Sequence, residues 1–458
     1  MTTPDAPSIN TTIESLGQAT IPSPMADPLK NAPVGFITDT DRVLIEVDAE
    51  KITSAARKGR PLPALECAGP RRRIYFDPSK IRCAIVTCGG ICPGLNAIIR
   101  SVVLELYYRY GVRHIYGIRY GLQGFIPEYH HDVLELSPSV AGDIMKKGGT
   151  ILGSSRGQQD PDAIVDSLQR MGVGALFMVG GDGTLVAATK IADTIIARGL
   201  KISVVGIPKT IDNDISMVSR SFGFDTAVEV ATQAIRAAHN EAVGYPNGIG
   251  LIKLMGRYSG FIAATAILAE QDANFVLIPE VDFDLTGPGG LFDKLKDRLA
   301  RRHHAVIVAA EGAGQKFFNT TADRWDKSGN LRLQDIGRYL KKRIGDYFKS
   351  EGIDITIKYI DPSYMIRSLP ANANDRVFCN FLGRNAVHAA MAGKTKVLVG
   401  HWNNHFVHIP MQLSAGKRKQ IDPGSELWCG VLAATGQGAL TAAAGKSEGL
   451  KAGKPADG

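Results

Sequence analysis

The sequence predicts an α/β protein: two doubly wound lobes with mostly parallel sheets, preceded by an N-terminal extension. Three observations predict it. From Arg82 onward, short apolar runs alternate with longer helical patterns. The runs are apolar at consecutive positions, which suits strands covered by helices on both faces. Several of them end in turns crowded with Gly, Asp and Thr, and open α/β sheets receive their ligands beyond such carboxyl ends.

Taken in order, the first 75 residues are rich in Pro, Ser and Thr and hold one apolar piece, Arg42–Asp48. Two basic patches, Ala56–Arg60 and Arg71–Arg73, read as solvated charge on this extension. The first strong strand is expected at Arg82–Cys88, with a helical pattern over Gly94–Tyr110. Further strands are expected at His114–Ile118, Gly174–Val179, Ile202–Ile207, Gly250–Met255, Phe275–Pro279, Ala305–Glu311 and Lys396–Gly400. Arg332–Gly352 has apolar residues at helical spacing and a closing Gly, the pattern of a scaffold helix. Leu295–His304 is a basic helix end, where cations suit the dipole. The three histidines of His401–His408 have no carboxylate or cysteine beside them and read as loop and strand edge rather than a metal site.

A chain of 458 residues, 44% hydrophobic and 21% charged, has room for two or three domains and the balance of a soluble enzyme. Its formal charge of +8 favours anionic partners. Nucleic acid is not expected, because no aromatics interleave the basic patches. No membrane partner is expected either, since no run approaches the ~18 apolar residues of a span. The N-terminus lacks a charged-then-apolar signal, and Gly449–Gly458 carries no readable address, so a cytoplasmic protein is expected. Of six cysteines, Cys88 and Cys92 share the stretch CGGIC, but no second ligand cluster accompanies them, and reduced thiols are the reading.

Chemistry is concentrated in the turns. Thr87–Asn96 (TCGGICPGLN) runs from a strand into a helix, where glycines admit a phosphate and the helix start offers N–H groups. Gly180–Thr184 (GGDGT) repeats that logic with a carboxylate inside it. An Asp beside a phosphate calls for an intervening cation, and Mg²⁺ is the natural one; the plainer reading is that Asp182 caps its helix. In Pro208–Asp214 (PKTIDND), Asp212 and Asp214 point the same way if the segment stays extended. One could take a hydroxyl proton while the other orients it. Met255–Phe261 (MGRYSGF) and Gly148–Gly157 (GGTILGSSRG) bring Arg257 and Arg156, whose forked donors suit phosphate. Clamped phosphates plus a base are the parts of phosphoryl transfer.

As a set, GGDGT, PKTIDND, MGRYSGF, the Glu of IVAAEGAG and DPSYMIRS (Asp361–Ser368) resemble the 6-phosphofructokinases, in their order and approximate spacing. The resemblance implies an enzyme that transfers the γ-phosphate of ATP to fructose 6-phosphate, with its site between the lobes. By it, residues 76–224 with 370–425 would form the nucleotide-binding lobe and 225–369 with 426–458 the sugar-phosphate lobe. Gly90, Arg156, Gly157, Gly181, Asp182, Gly183 and Thr184 would hold the donor, with Asp182 on Mg²⁺. Asp212 would be the general base, assisted by Thr210 and Asp214, and Arg257 would bridge donor and acceptor phosphates. Thr210, Ile211, Asp212, Met255, Gly256, Arg257, Glu311, Tyr364 and Arg367 would bind the sugar phosphate, with Lys358 reaching it from a neighbouring subunit. A cytoplasmic, allosteric homotetramer is implied, with a homodimer as the alternative.

Departures from the bacterial ATP-dependent pattern bear on the donor. That pattern has glycine at Lys209 and histidine at Tyr364, and here both resemble the branch that includes pyrophosphate-dependent enzymes. Those enzymes typically carry aspartate where Gly183 stands. An aspartate there would crowd and repel the α-phosphate region of a nucleotide, so Gly183 predicts ATP, and pyrophosphate is the rival donor. The combination resembles the ATP-dependent members of plants and trypanosomatids. An NAD or lipid kinase would share GGDGT but leave TIDND, MGRYSG and DPSYMIRS unexplained. A sugar-phosphate sensor would not need the carboxylates. Gly248 aligns with an interface arginine of the bacterial pattern, so that cooperativity mechanism does not transfer.

Overall fold

A computed structural model of the chain describes residues 9–27, 34–318 and 332–441. The tail read at Gly449–Gly458 lies outside them. Among the described residues, two sheets built from thirteen strands carry the architecture: β1 (Arg42–Leu44), β2 (Ala64–Cys67), β3 (Arg82–Thr87), β4 (His114–Ile118), β5 (Val133–Glu135), β6 (Val173–Gly180), β7 (Ser203–Pro208), β8 (Gly248–Leu254), β9 (Phe275–Leu277), β10 (His304–Ala310), β11 (Thr356–Ile360), β12 (Val397–Trp402) and β13 (His405–Pro410).

The chain divides into two compact units. Met1–Val230, Thr320–Arg332 and Ser363–Gln420 form the first; Ala231–Asn319, Leu333–Pro362 and Ile421–Gly458 form the second. In the first, nine strands run in the order β1-β2-β13-β12-β7-β6-β3-β4-β5. The five from β12 to β4 are parallel, while β5 on one side and β13, β2 and β1 on the other are antiparallel. Burial explains the pattern of β3, where Cys83, Ala84, Ile85 and Val86 are all inaccessible to water; such strands need cover on both faces. The second unit has a four-stranded, wholly parallel sheet in the order β9-β10-β8-β11. The expected α/β class and mostly parallel sheets are thus observed.

Before Phe76 the described residues are not a separate body. β1 and β2 extend the nine-stranded sheet, and Glu14–Ser15 pairs antiparallel with Lys394–Thr395. Nor is Arg71 solvated: it is buried, with Nε 2.9 Å from Asp39 and Nη2 2.9 Å from Glu66. Local counter-charge makes that burial tolerable; Arg72 and Arg73 are exposed. The histidine-rich stretch is the β12–β13 hairpin, turned by Asn403 and Asn404 at φ 45° and 64°. Two left-handed residues match the twist of the flanking strands. His408 is a core residue whose Nδ1 lies 2.9 Å from Glu66. No helix among the described residues is long and apolar enough to cross a membrane.

Candidate active site

In the first unit the chain runs from β3 outward to β4 and then returns to place β6 on the other side of β3. That reversal is a topological switch point, where the loops from neighbouring strand ends part and leave a crevice. β6 and β7 pair in register to their last residues, Gly180 opposite Pro208. The turns that follow are therefore level. The Lys209 N–H donates to Gly180 O (2.9 Å) and the Cys88 N–H to Val179 O (2.9 Å). The Gly148–Gly157 loop closes the same end: the Gly89 N–H donates to Ser155 O (3.3 Å), and the Ser154 hydroxyl to Gly89 O (2.6 Å). Arg156, next along, is exposed.

Lys209 is buried and its ammonium donates to Gly90 O. Burial moves its pKa below the ordinary lysine value, against the opposing pull of Cys92, Cys88 and Asp212. Beyond it the chain is not extended, because Asn213 adopts φ 51°. The period-two argument for Asp212 and Asp214 therefore does not apply. Thr210 organises the loop instead: its hydroxyl donates to Asp214 Oδ1 (3.0 Å) and accepts the Asp212 N–H (3.1 Å). Asn213 Oδ1 accepts the Ser221 N–H (3.0 Å), and the Ser221 hydroxyl donates to Thr210 O (2.7 Å). A carboxylate pair is thus fixed by side chains rather than by strand geometry.

Asp182 begins the helix Asp182–Ala197, but its carboxylate makes no cap; Gly181 stands at the cap position. The Asp182 Oδ1 instead accepts the Gly416 N–H (2.6 Å), and Arg418 Nη2 lies 3.7 Å from Oδ2. Burial raises its pKa against those two partners, and Asp214 adds to the rise. Among the described residues no group of three or more His, Cys, Asp or Glu could hold a metal. An ion that needs a full protein cage does not fit. Mg²⁺, bound through one carboxylate, phosphate oxygens and water, does. A side chain started at Gly183 would meet nothing within 4 Å.

The second unit carries its own cluster at the carboxyl ends of β8 and β10. The Glu311 N–H donates to Leu254 O (2.9 Å) and the Gly312 N–H to Gly256 O (3.0 Å). This sets Met255, Gly256 and Arg257 beside Glu311. Gly256 has φ 131°, and a Cβ on Gly312 would sit 2.0 Å from Arg257 O, so both glycines are required by the close approach. At Gly248 a Cβ would sit 2.0 Å from Ala242 O.

Not every expected residue joins the cluster expected for it. Tyr364 and Arg367 were expected with the sugar-phosphate lobe, yet their helix, Ser363–Ser368, belongs to the first unit. Close packing explains it: a Cβ on Gly148 would fall 1.7 Å from Ser368 O, and one on Gly90 3.8 Å from Arg367. Arg367 stacks over the exposed Tyr364 ring at 4.8 Å. Lys358 lies mid-strand opposite Gly250; in its own chain it pairs with Glu241 (3.4 Å) and covers the Tyr245 ring.

Sequence reasoning missed the segment Ala415–Gln420. Besides Gly416 and Arg418, it brings Lys419, whose N–H donates to Asp214 O (2.7 Å) and whose ammonium donates to Val218 O (3.0 Å). Burial lowers the Lys419 pKa to about 8, against Asp214. A basic run (KRK) after the last strand was the available signal.

Comparison with known proteins bears on this arrangement. A family model described as Phosphofructokinase matches residues 82–390. The chain is 54% identical over 379 residues to the ATP-dependent 6-phosphofructokinase of Borreliella burgdorferi, covering 81% of this chain and 85% of that one. It is 45% identical over 449 residues to the ATP-dependent 6-phosphofructokinase of Amycolatopsis methanolica, covering 96% and 98%. Among solved structures, the pyrophosphate-dependent phosphofructokinase of Marinobacter aquaeolei superposes with a TM-score of 0.63 at 20% identity, covering 76% of this chain and 88% of that one. That likeness speaks to the fold alone.

Proposed function

The chain belongs to the phosphofructokinase family, and from that premise we infer that it is an ATP-dependent 6-phosphofructokinase, a kinase of glycolysis that makes fructose 1,6-bisphosphate. The observation that carries the donor choice is the open space at Gly183, beside Asp182. A nucleotide's α-phosphate region needs that room, and pyrophosphate ends before reaching it.

In this reading Gly90, Arg156, Gly157 and Gly181–Thr184 hold the ATP phosphates. Thr210, Ile211, Met255, Gly256, Glu311, Tyr364 and Arg367 hold fructose 6-phosphate, Arg367 at its phosphate, and Lys358 serves a neighbouring subunit. The 1-hydroxyl oxygen attacks the γ-phosphorus in line, the bond to the β–γ bridging oxygen breaks, and ADP leaves. Asp212 takes the hydroxyl proton, with Thr210 and Asp214 fixing its loop. Arg257 neutralises charge that builds on the transferring group. Asp182 would hold Mg²⁺, which supplies positive charge to the donor phosphates when bound. The reading extends to an allosteric homotetramer, with a homodimer as the alternative. It also places the chain in the cytoplasm, consistent with six free cysteines, four of them buried.

The test is initial rate with fructose 6-phosphate and Mg²⁺, ATP and pyrophosphate compared in parallel. Turnover with ATP alone is expected. Turnover with pyrophosphate alone would mean that Lys209 outweighs Gly183 and the donor reading is wrong.

A further inference from the structure

We propose that Arg418 is a resident cation that holds the place of the divalent ion between Asp182 and Asp214, and so keeps free metal out of the donor site until a nucleotide brings it. The proposal rests on the donor-site reading above but concerns a residue outside it. Each carboxylate spends one oxygen on a neutral partner: Asp182 Oδ1 on the Gly416 N–H (2.6 Å), Asp214 Oδ1 on the Thr210 hydroxyl (3.0 Å). The other two oxygens face the same guanidinium, with Nη2 3.7 Å from Asp182 Oδ2 and Nη1 3.3 Å from Asp214 Oδ2. One planar cation therefore spans two carboxylates that come from turns at adjacent strand ends.

The backbone under Arg418 is fixed, and its head lies partly in solvent. Arg418 forms an antiparallel bridge with Ile215, and the neighbouring Lys419 N–H is bound to Asp214 O (2.7 Å). The Lys419 ammonium donates to Val218 O (3.0 Å) and Ser219 O (3.3 Å). The Arg418 side chain, by contrast, is 30% exposed. Its contacts to these two carboxylates, at 3.7 and 3.3 Å, are longer than the 2.7–2.9 Å common for charge-assisted pairs. It satisfies the pair without clamping it.

Two consequences follow from charge. Two carboxylates that share one guanidinium would draw a divalent ion more strongly without it, and the guanidinium offsets one of their two charges. It is charged at every working pH, so acid or base does not lift the block. A bare metal ion gains nothing for the displaced Arg418. A metal bound to nucleotide brings phosphate oxygens to which the fork can turn. Entry of metal is thereby tied to entry of the donor.

The experiment is Mn²⁺ binding to the full chain by electron paramagnetic resonance, with no nucleotide or sugar present, for the wild type, R418Q and R418K. R418Q should bind free Mn²⁺ about tenfold more tightly or better than the wild type, and R418K should stay near the wild type because it keeps the charge. Adding D182N to R418Q should abolish the gain. Binding by R418Q no tighter than by the wild type would overturn the proposal; if R418Q does not fold, by circular dichroism, R418A is read the same way, and a tight free-Mn²⁺ site at Asp182 in the wild type would overturn it without any variant. None of these outcomes depends on which phosphoryl donor the chain uses, so failure here leaves the donor assay to stand or fall separately.

Discussion

The Thr210 hydroxyl donates to Asp214 Oδ1 at 3.0 Å while accepting the Asp212 N–H at 3.1 Å. One side chain thereby ties the proposed base to the second carboxylate of the loop. If Asp212 takes the proton, Asp212→Ser should lower kcat by roughly 10²–10⁴-fold and leave the dissociation constant for fructose 6-phosphate nearly unchanged. Steady-state kinetics beside equilibrium binding of the sugar decide it. Near-normal kcat would remove Asp212 from the mechanism.

Open space at Gly183 makes a clean test of donor choice. The Cβ that Gly183→Asp adds would meet no atom within 4 Å, so the fold should tolerate it. Its charge would face the nucleotide's inner phosphate, and like charges in contact cost several kcal/mol. kcat/KM for ATP should fall by about a hundredfold or more, with an unchanged melting temperature. Retained ATP turnover would show that this turn does not set the donor.

Lys209 predicts a pH effect. Its folded-state pKa is lowered by burial, so the ammonium is lost as pH rises through a value below the ordinary ~10.4. kcat/KM for the donor should therefore fall on the alkaline side earlier than an exposed lysine would dictate. Lys209→Arg keeps its charge across that range and should remove the limb. A limb that persists in the arginine variant would belong to another group.

Gly312 predicts a steric effect confined to the second unit's cluster. Gly312→Ala would drive a methyl to 2.0 Å from Arg257 O, costing about 1–3 kcal/mol and displacing the arginine. KM for fructose 6-phosphate should rise and kcat fall, while ATP binding stays as it was. Gly345→Ala, in open space on the helix Ile336–Ser350 of the same unit, is the matched control. Equal effects from both would mean that the loss is not steric.

What was legible in the sequence follows from how local each signal is. Every strand expected from Arg82 onward is present because buried parallel strands announce themselves as apolar runs, as Val204, Val205 and Ile207 do on β7. β11 escaped notice: each of its residues is only half buried, so Thr356–Ile360 alternates weakly. Gly and Asp at the ends of β6 and β7 marked the site's turns for the same local reason. Gly416 could not be found that way. It acts through a backbone N–H on Asp182, 234 residues distant, and a main-chain donor leaves no mark on composition. The loop conformation at Asn213 was equally hidden, since a left-handed Asn and an extended one are written alike.

The nine-stranded sheet stops on both sides at strands of three residues, β1 and β5. A long bare border would offer a row of unused N–H and C=O groups to which a second chain could stitch itself. Here neither border is long enough to template one, and each carries a charged residue, Arg42 on one and Glu135 on the other. Edge-to-edge pairing of this sheet with a second copy is thereby discouraged at either end.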